Sequence, residues 1–508
     1  MKPNIILIMG DQLNHRFLPW SGNSVVQAPN FTKLAKRGTV FKNIYCNYPI
    51  CAPSRYSMLT GLLPHSISAW DNAAEFSSAI PTIGHALTLS GYETILCGKM
   101  HFVGPDQKHG FSERLVTDIY PADFAWVPNW NDGPRNAPTG ISMKAVIEAG
   151  HCQRSLQLDY DDEVEYFAKQ KLFDLRRRPT QDPFFFCISF THPHSPFTAP
   201  QNFWDLYQPS DIDMPRVGEI PFEKLDTHSK WLYYSHGRDQ AKVNNEDIRN
   251  ARHAYYGMIS YLDSKVGNLI NILDSLSFER ETLIIFCSDH GEMMGERGMW
   301  FKQTFFEDSV RVPFFIGGSA WKSNLQESEQ LGSLIDLVPT LLEVSGSEKY
   351  WASALAGKSL LPNNTTGSTS VISEYSDMGV CAPCRMIRKG DYKYWVTHGH
   401  ESQLYDLAKD PYELNNISGS VLYQAIEDTL KDEIFQDWDP EKINREVLES
   451  QKRRRFIQES RNLRQDPDNW SFQVSRNDRL RYVRGSGDKE GTVATKRLAR
   501  FPPIASIL

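Results

Sequence analysis

Five short apolar runs, Asn4–Met9, Glu93–Cys97, Phe184–Phe190, Thr282–Cys287 and Val312–Ile316, recur along the chain with long amphipathic stretches such as Ile248–Leu273 between them. Runs this short, and apolar on both faces, read as strands covered on both sides, which is the position of a strand in a parallel sheet sandwiched by helices. The expected fold is therefore α/β, a mostly parallel central sheet flanked by helices. In such sheets ligands gather at the carboxyl ends of the strands. The polar residues that follow the runs are the ones to inspect: Asp11 and Gln12, Lys99 and His101, His192 and His194, Asp289 and His290.

At 508 residues the chain exceeds what one hydrophobic core organises. The loop-like Asn363-Asn-Thr-Thr-Gly-Ser-Thr-Ser370 marks a boundary between a catalytic domain, 1–365, and a smaller C-terminal α+β domain, 366–508. In the second, Tyr392–Val396 reads as a strand, Asp406–Asn416 as turns, and Glu441–Ser460 as a charged helix opening an extended tail. Its Lys452-Arg-Arg-Arg455 run is read as a solvated face, with a tail wrapping a neighbouring subunit of a dimer or tetramer as the sharper alternative. The net charge of -7 is mild and mixed in sign, which gives no reason to expect a nucleic acid partner. The chain enters its first strand without a basic leader or cleavage site, and no run approaches the ~20 apolar residues that span a bilayer. A cytoplasmic location is the expectation. The eight cysteines are scattered rather than framing a small fold, and Cys381-Ala-Pro-Cys384 lacks the partner pair a zinc site needs, so it is read as packing.

The strongest local signal is Cys51-Ala-Pro-Ser-Arg55-Tyr-Ser-Met-Leu59-Thr60-Gly61. Pro53 suits the start of a helix, so Cys51 lies where unpaired N–H groups and the positive dipole end face an oxyanion. Arg55, one turn on, can turn back to the same point. Asp11 and Asp289-His290 follow two different strands and offer oxygen and nitrogen ligands to a divalent cation. Lys99, His101, His194 and Lys302 add cations and imidazoles near the same strand ends.

The string around Cys51 is similar to the modification motif of the formylglycine-dependent sulfatase family, Cys-x-Pro-Ser-Arg followed by Leu-Thr-Gly. That resemblance implies an alkaline phosphatase-like fold and a Cys51 oxidised to formylglycine by a separate maturation enzyme, with its hydrated gem-diol attacking sulfur. It implies that Asp11, Asp289, His290 and the modified Cys51 hold the metal, with Ca²⁺ as the first expectation and Mn²⁺ or Mg²⁺ left open. Many sulfatases carry Asp-Asp and Asp-Asn where this chain has Asp11-Gln12 and Asp289-His290. Arg55, Lys99 and Lys302 then stabilise the anion, His194 is the first choice of general acid with Lys302 beside it, and His101 is the base.

The flanks resemble one branch of the family, the enzymes that split choline-O-sulfate into choline and sulfate. The resemblance runs through Gly98–Gln107, Asp118–Phe124, Ser189–His194, Asp289–Gly298, Trp438–Pro440, Val447–Arg454 and Ala499–Pro502. A quaternary ammonium has no proton to donate and is recognised by aromatic faces and carboxylates. Phe124, Trp126 and Trp130 form the expected aromatic cluster, with Trp126 as the cation–π residue, Glu374 as the acidic partner and Asn72 as the amide on the sulfate side. An arylsulfatase or a phosphonate or phosphate ester hydrolase stays open as an alternative. A non-catalytic binding protein on the same fold is opposed by the intact set of functional residues.

Overall fold

A computed structural model describes residues 1–137, 141–178, 180–362, 367–464 and 469–474. Part of the expected boundary loop, 363–366, and the Ala499–Pro502 segment lie outside the described residues.

The runs read from the sequence are strands of one eight-stranded sheet: β1 (Asn4–Gly10), β2 (Gly38–Tyr45), β3 (Glu93–Gly98), β4 (Glu113–Arg114), β5 (Phe184–Ser189), β6 (Thr282–Ser288), β7 (Arg311–Gly317) and β8 (Glu327–Ser333). Their order is β8-β2-β7-β6-β1-β5-β3-β4. Parallel pairing joins β1 to both β5 and β6, β3 to β4 and β5, and β2 to β8. Strand β7 is antiparallel to both its neighbours. The segment 289–310 contains no long helix to carry the chain back across the sheet, so β7 enters at the carboxyl end of β6 and runs the other way.

Alternate residues of β1 serve two cores. Ile5, Leu7 and Met9 pack with Ala52, Met58 and Leu59 of helix α1 (Cys51–Thr60) on one face. Ile6 and Ile8 pack on the other with residues of α2 (Leu156–Arg176) and α3 (Asn245–Leu276). That two-sided burial is what the unbroken apolar runs encode. Helix α3 starts where Asn244 accepts from the N–H groups of Glu246 and Asp247. Helix α1 begins at Cys51 itself, with Pro53 inside the first turn, where a missing N–H costs no hydrogen bond. It ends at Gly61, whose φ of 67° is the left-handed cap.

A second, four-stranded antiparallel sheet follows, built from β9 (Ser370–Tyr375), β10 (Cys384–Lys389), β11 (Tyr392–Thr397) and β12 (Gln403–Asp406). Helices α4 (Gln424–Phe435) and α5 (Pro440–Asn462) come after it. The reading of Lys452–Arg455 as a solvated face needs correction. Lys452 and Arg453 are exposed, but Arg454 is buried with Gln451 and Val447 against the rest of the chain. No helix among the described residues is long and apolar enough to cross a membrane.

Gly98 ends β3 at φ 102°, and a Cβ there would lie 2.0 Å from the Ser189 carbonyl oxygen of β5. Both conditions exclude a side chain. Gly98→Ala should destabilise the fold by about 2–4 kcal/mol, read as a lower thermal midpoint by circular dichroism. An unchanged midpoint would show that the strand end adapts.

Candidate active site

At the carboxyl ends of β1 and β6 stand Asp11, Asp289 and His290, and all three are fully buried. Cys51 meets them from the first turn of α1, its Sγ 3.3 Å from His290 Nε2 and 3.8 Å from Asp11 Oδ1. Arg55 turns back as its spacing suggested: Nε donates to Asp289 Oδ2 at 2.7 Å and Nη2 to Asp11 Oδ2 at 3.4 Å. Lys99, just beyond β3, pairs with Asp11 and lies 3.4 Å from Cys51 Sγ. Two carboxylates and two cations thus share a pit buried from bulk solvent.

Burial alone would raise the Asp11 carboxyl, but Lys99 and then Arg55 outweigh it and hold it below the usual carboxylate range. Burial, helped by Asp11, pushes the Cys51 thiol up to about 11. The free thiol is therefore a poor nucleophile at neutral pH. His290 is lowered to about 4, chiefly by burial. Its Nδ1 faces the Gly291 carbonyl at 3.0 Å, which leaves the Nε2 lone pair turned into the pit. One ligand atom from each of Asp11, Cys51, Asp289 and His290 lies within 4.8 Å of the others. Two carboxylates, an imidazole and a sulfur-bearing position fit a hard or borderline divalent cation.

A polar chain leads away from the pit. Lys302 donates to Gln12 Oε1, Gln12 donates to Glu292, and Lys302 Nζ lies 2.8 Å from His194 Nε2. His194 Nδ1 faces the Ser195 carbonyl at 2.6 Å, a position only an N–H satisfies, so Nε2 accepts from Lys302. Burial and then Lys302 hold His194 well below the ordinary histidine range, while burial raises Glu292 to about 7. Gln12 takes the left-handed backbone, φ 62°, and its side chain goes to Lys302 and Glu292.

His101 stands at φ 60° with its backbone N–H on Asp118 Oδ2 at 2.6 Å, and neither ring nitrogen has a protein partner. Burial and then Lys99 lower it to about 3. Its ring lies 5.1 Å from that of Tyr120 and 5.5 Å from that of Trp126, and these two are 4.9 Å apart. Lys99 Nζ sits over the Tyr120 face at 4.1 Å. Tyr120, Asp118 and Glu292 fall within Asp118–Phe124 and Asp289–Gly298, yet residue type alone gave no reason to single them out.

Asn72 comes to the start of α1, where Ile50 provides no side-chain cap. Its Oδ1 accepts from Ala52 N at 2.9 Å, so it caps the helix from outside. Glu374 is held from two sides: His65 Nδ1 lies 2.7 Å and Arg385 Nε 3.4 Å from its Oε1, while the His65 N–H takes Oε2. Trp130 is buried, its Nε1 donating to the Asp377 carbonyl, and Phe124 packs on Trp470. Of the three aromatics, Trp126 alone contacts the ring group beside Lys99.

A buried pit of paired carboxylates and cations, with a helix start aimed at it, defines a hydrolase of charged oxyanion esters. The family model "Sulfatase" matches residues 3–347, and one for the C-terminal part of N-sulphoglucosamine sulphohydrolase matches 295–439. This chain belongs to the sulfatase family, and it is a sulfuric ester hydrolase. It is 41% identical to a choline-sulfatase of Rhizobium meliloti over 98% of this chain and 99% of that protein. An arylsulfatase of Clostridium perfringens is 29% identical over 85% and 93%. In fold it is similar to the phosphonate monoester hydrolase of Agrobacterium radiobacter, with a TM-score of 0.70, 24% identity and 86% and 95% of the two chains covered.

Divalent cation added to chelator-treated protein should raise its thermal midpoint, by the equivalent of about 2.7 kcal/mol at a hundredfold excess over Kd. Asp289→Asn should remove that response, and a shift that persists in the variant would place the ion elsewhere.

Proposed function

We propose that this enzyme hydrolyses choline-O-sulfate to choline and sulfate, with Cys51 converted to formylglycine and Asp11, Asp289, His290 and position 51 holding one divalent cation. The observation that carries the choice of substrate is the aromatic wall of Trp126 and Tyr120, set against the same Lys99 that lines the anion pit. A substrate whose quaternary ammonium sits two carbons from its sulfate oxygen spans those two features. The relative from Rhizobium meliloti, named choline-sulfatase, supports the same reading.

When present, the hydrated aldehyde at position 51 supplies the nucleophilic hydroxyl and the cation polarises the sulfate oxygens. The chain's own residues do the rest. Arg55, Lys99 and Lys302 neutralise the non-bridging oxygens in a site buried from bulk solvent. Asn72 offers its amide N–H to the sulfate, because its carbonyl is committed to Ala52. The proton for the leaving oxygen comes from the Lys302–His194 pair: Lys302 carries it, and His194 Nε2 holds the ammonium in place. His101, neutral and with both ring nitrogens unclaimed, takes the proton from position 51 that releases sulfate. The ammonium rests on the aromatic faces.

We also read the chain as two units, 1–365 and 366–508, in a cytoplasmic homo-oligomer. Phe456 of α5 and Leu463, just past its end, are 71% and 89% exposed, which supports a subunit contact there. Phe456→Glu should shift the mass in light scattering to that of a smaller species if this face is the contact.

Two substitutions test the chemistry. Cys51→Ala should leave the circular dichroism spectrum unchanged and abolish turnover, and retained activity would sink the mechanism. Trp126→Ala should lower kcat/KM for choline-O-sulfate by about 10–30-fold while costing an uncharged aryl sulfate less than about threefold. Equal losses would remove the cation–π wall from the account. Faster hydrolysis of an aryl phosphonate monoester than of either sulfate by the wild-type enzyme would replace the substrate assignment.

A further inference from the structure

Arg454, in the basic run of α5, is 6% exposed and grips Asp71 with two parallel hydrogen bonds, Nη1 to Oδ1 and Nη2 to Oδ2, each 2.6 Å. Such a fork fixes both distance and orientation. The pair joins positions 383 residues apart and is almost closed to water. Asp71 is also the hinge of a turn, since its Oδ1 accepts from Ala73 N at 2.9 Å. Between the two lies Asn72, whose own N–H donates to Asp377 Oδ2 at 2.8 Å. Burial, and then the charge of Asp71, hold Asp377 well above the usual carboxylate range. Gln451, one turn before Arg454, accepts from Trp130 N at 3.1 Å, and Trp130 Nε1 donates to the Asp377 carbonyl at 3.1 Å. The bonds at Asn72 N and Ala73 N fix the backbone around Asn72 directly, and the Trp130 bonds brace Asp377 and α5 behind it.

We propose that Arg454 is a positioning residue of the active site, acting through the Asp71 turn and Asn72 on the first turn of α1. Asn72 is the outside cap of that turn, at the N–H next to Cys51. A turn freed from Arg454 lets the amide swing, loosening both the cap and the N–H offered to the anion. The C-terminal helix thereby reaches the reaction centre without touching it. The inference rests on the reading of Cys51 and Asn72 as reaction-centre residues.

The test is a double-mutant cycle on the full-length, modified enzyme, with an aryl sulfate as substrate. Arg454→Lys keeps the charge but can meet only one oxygen of Asp71 at a time. It should lower kcat/KM about tenfold at a temperature where circular dichroism shows a fully folded protein, while in an Asn72→Ala background the same change should cost less than about twofold. Equal losses in both backgrounds, or none in the first, would overturn the proposal. An Asn72→Ala variant with wild-type kcat/KM would do the same. If Arg454→Lys does not fold, the uncharged pair Asp71→Asn with Arg454→Gln serves in its place, with the same contrast expected between the two backgrounds. Activity in Cys51→Ala would count against the reaction centre itself, whatever the cycle returns.

Discussion

The structure depends on the mutual neutralisation of Asp11 and Asp289 by Lys99 and Arg55. All four are sealed from solvent, so each alone would be an uncompensated charge in a medium that solvates charge poorly. Removing one partner of a buried pair costs about 3–5 kcal/mol. The four side chains come from β1, β6, α1 and the end of β3, which means the sheet and the helix must close together for any of them to be tolerated. Cys51 is held by the same contacts. Its position is a by-product of charge balance as much as of helix geometry.

Much of this was legible in the sequence because burial on two faces and chemistry at strand ends leave local marks. Asn4–Met9 and Thr282–Cys287 announce themselves as strands, and Asp11 and Asp289 follow them directly. Strand β2 was missed because Lys42 and Asn43 interrupt its apolar run, and β8 because its exposed half alternates polar side chains. The direction of β7 depends on where the segment 289–310 lies, which no local pattern records. The neighbours of Glu374, His65 at 2.7 Å and Arg385 at 3.4 Å, come from distant parts of the chain or the adjoining strand, and no local pattern announces them. Arg454 looked like one charge in a solvated run. Its partner is Asp71, far away along the chain, and a single sequence carries no sign of that pairing.

The two halves of the site are built from different material. The anion half stands on strand ends and the first turn of a helix, elements whose backbone is fixed by ladders and by the core. The aromatic wall stands on Tyr120 and on a single 3₁₀ turn, Phe124–Trp126, in an otherwise irregular stretch. That stretch is held by side-chain contacts and single bonds rather than by a ladder: Asp123 caps its turn, the Ala122 carbonyl accepts from Gly104 N, and Phe124 meets Trp470. A scaffold divided this way lets the recognition of the organic group change while the sulfate chemistry stays put.

Cys51 is 1% exposed, at the bottom of a pit closed by Lys99, His290 and Arg55. A catalyst of protein size has no route to that sulfur once the chain has closed over it. Whatever alters the thiol must therefore meet the segment around residue 51 while it is still extended. For the proposed conversion of Cys51 the outcome is then one of timing, a race between modification and folding.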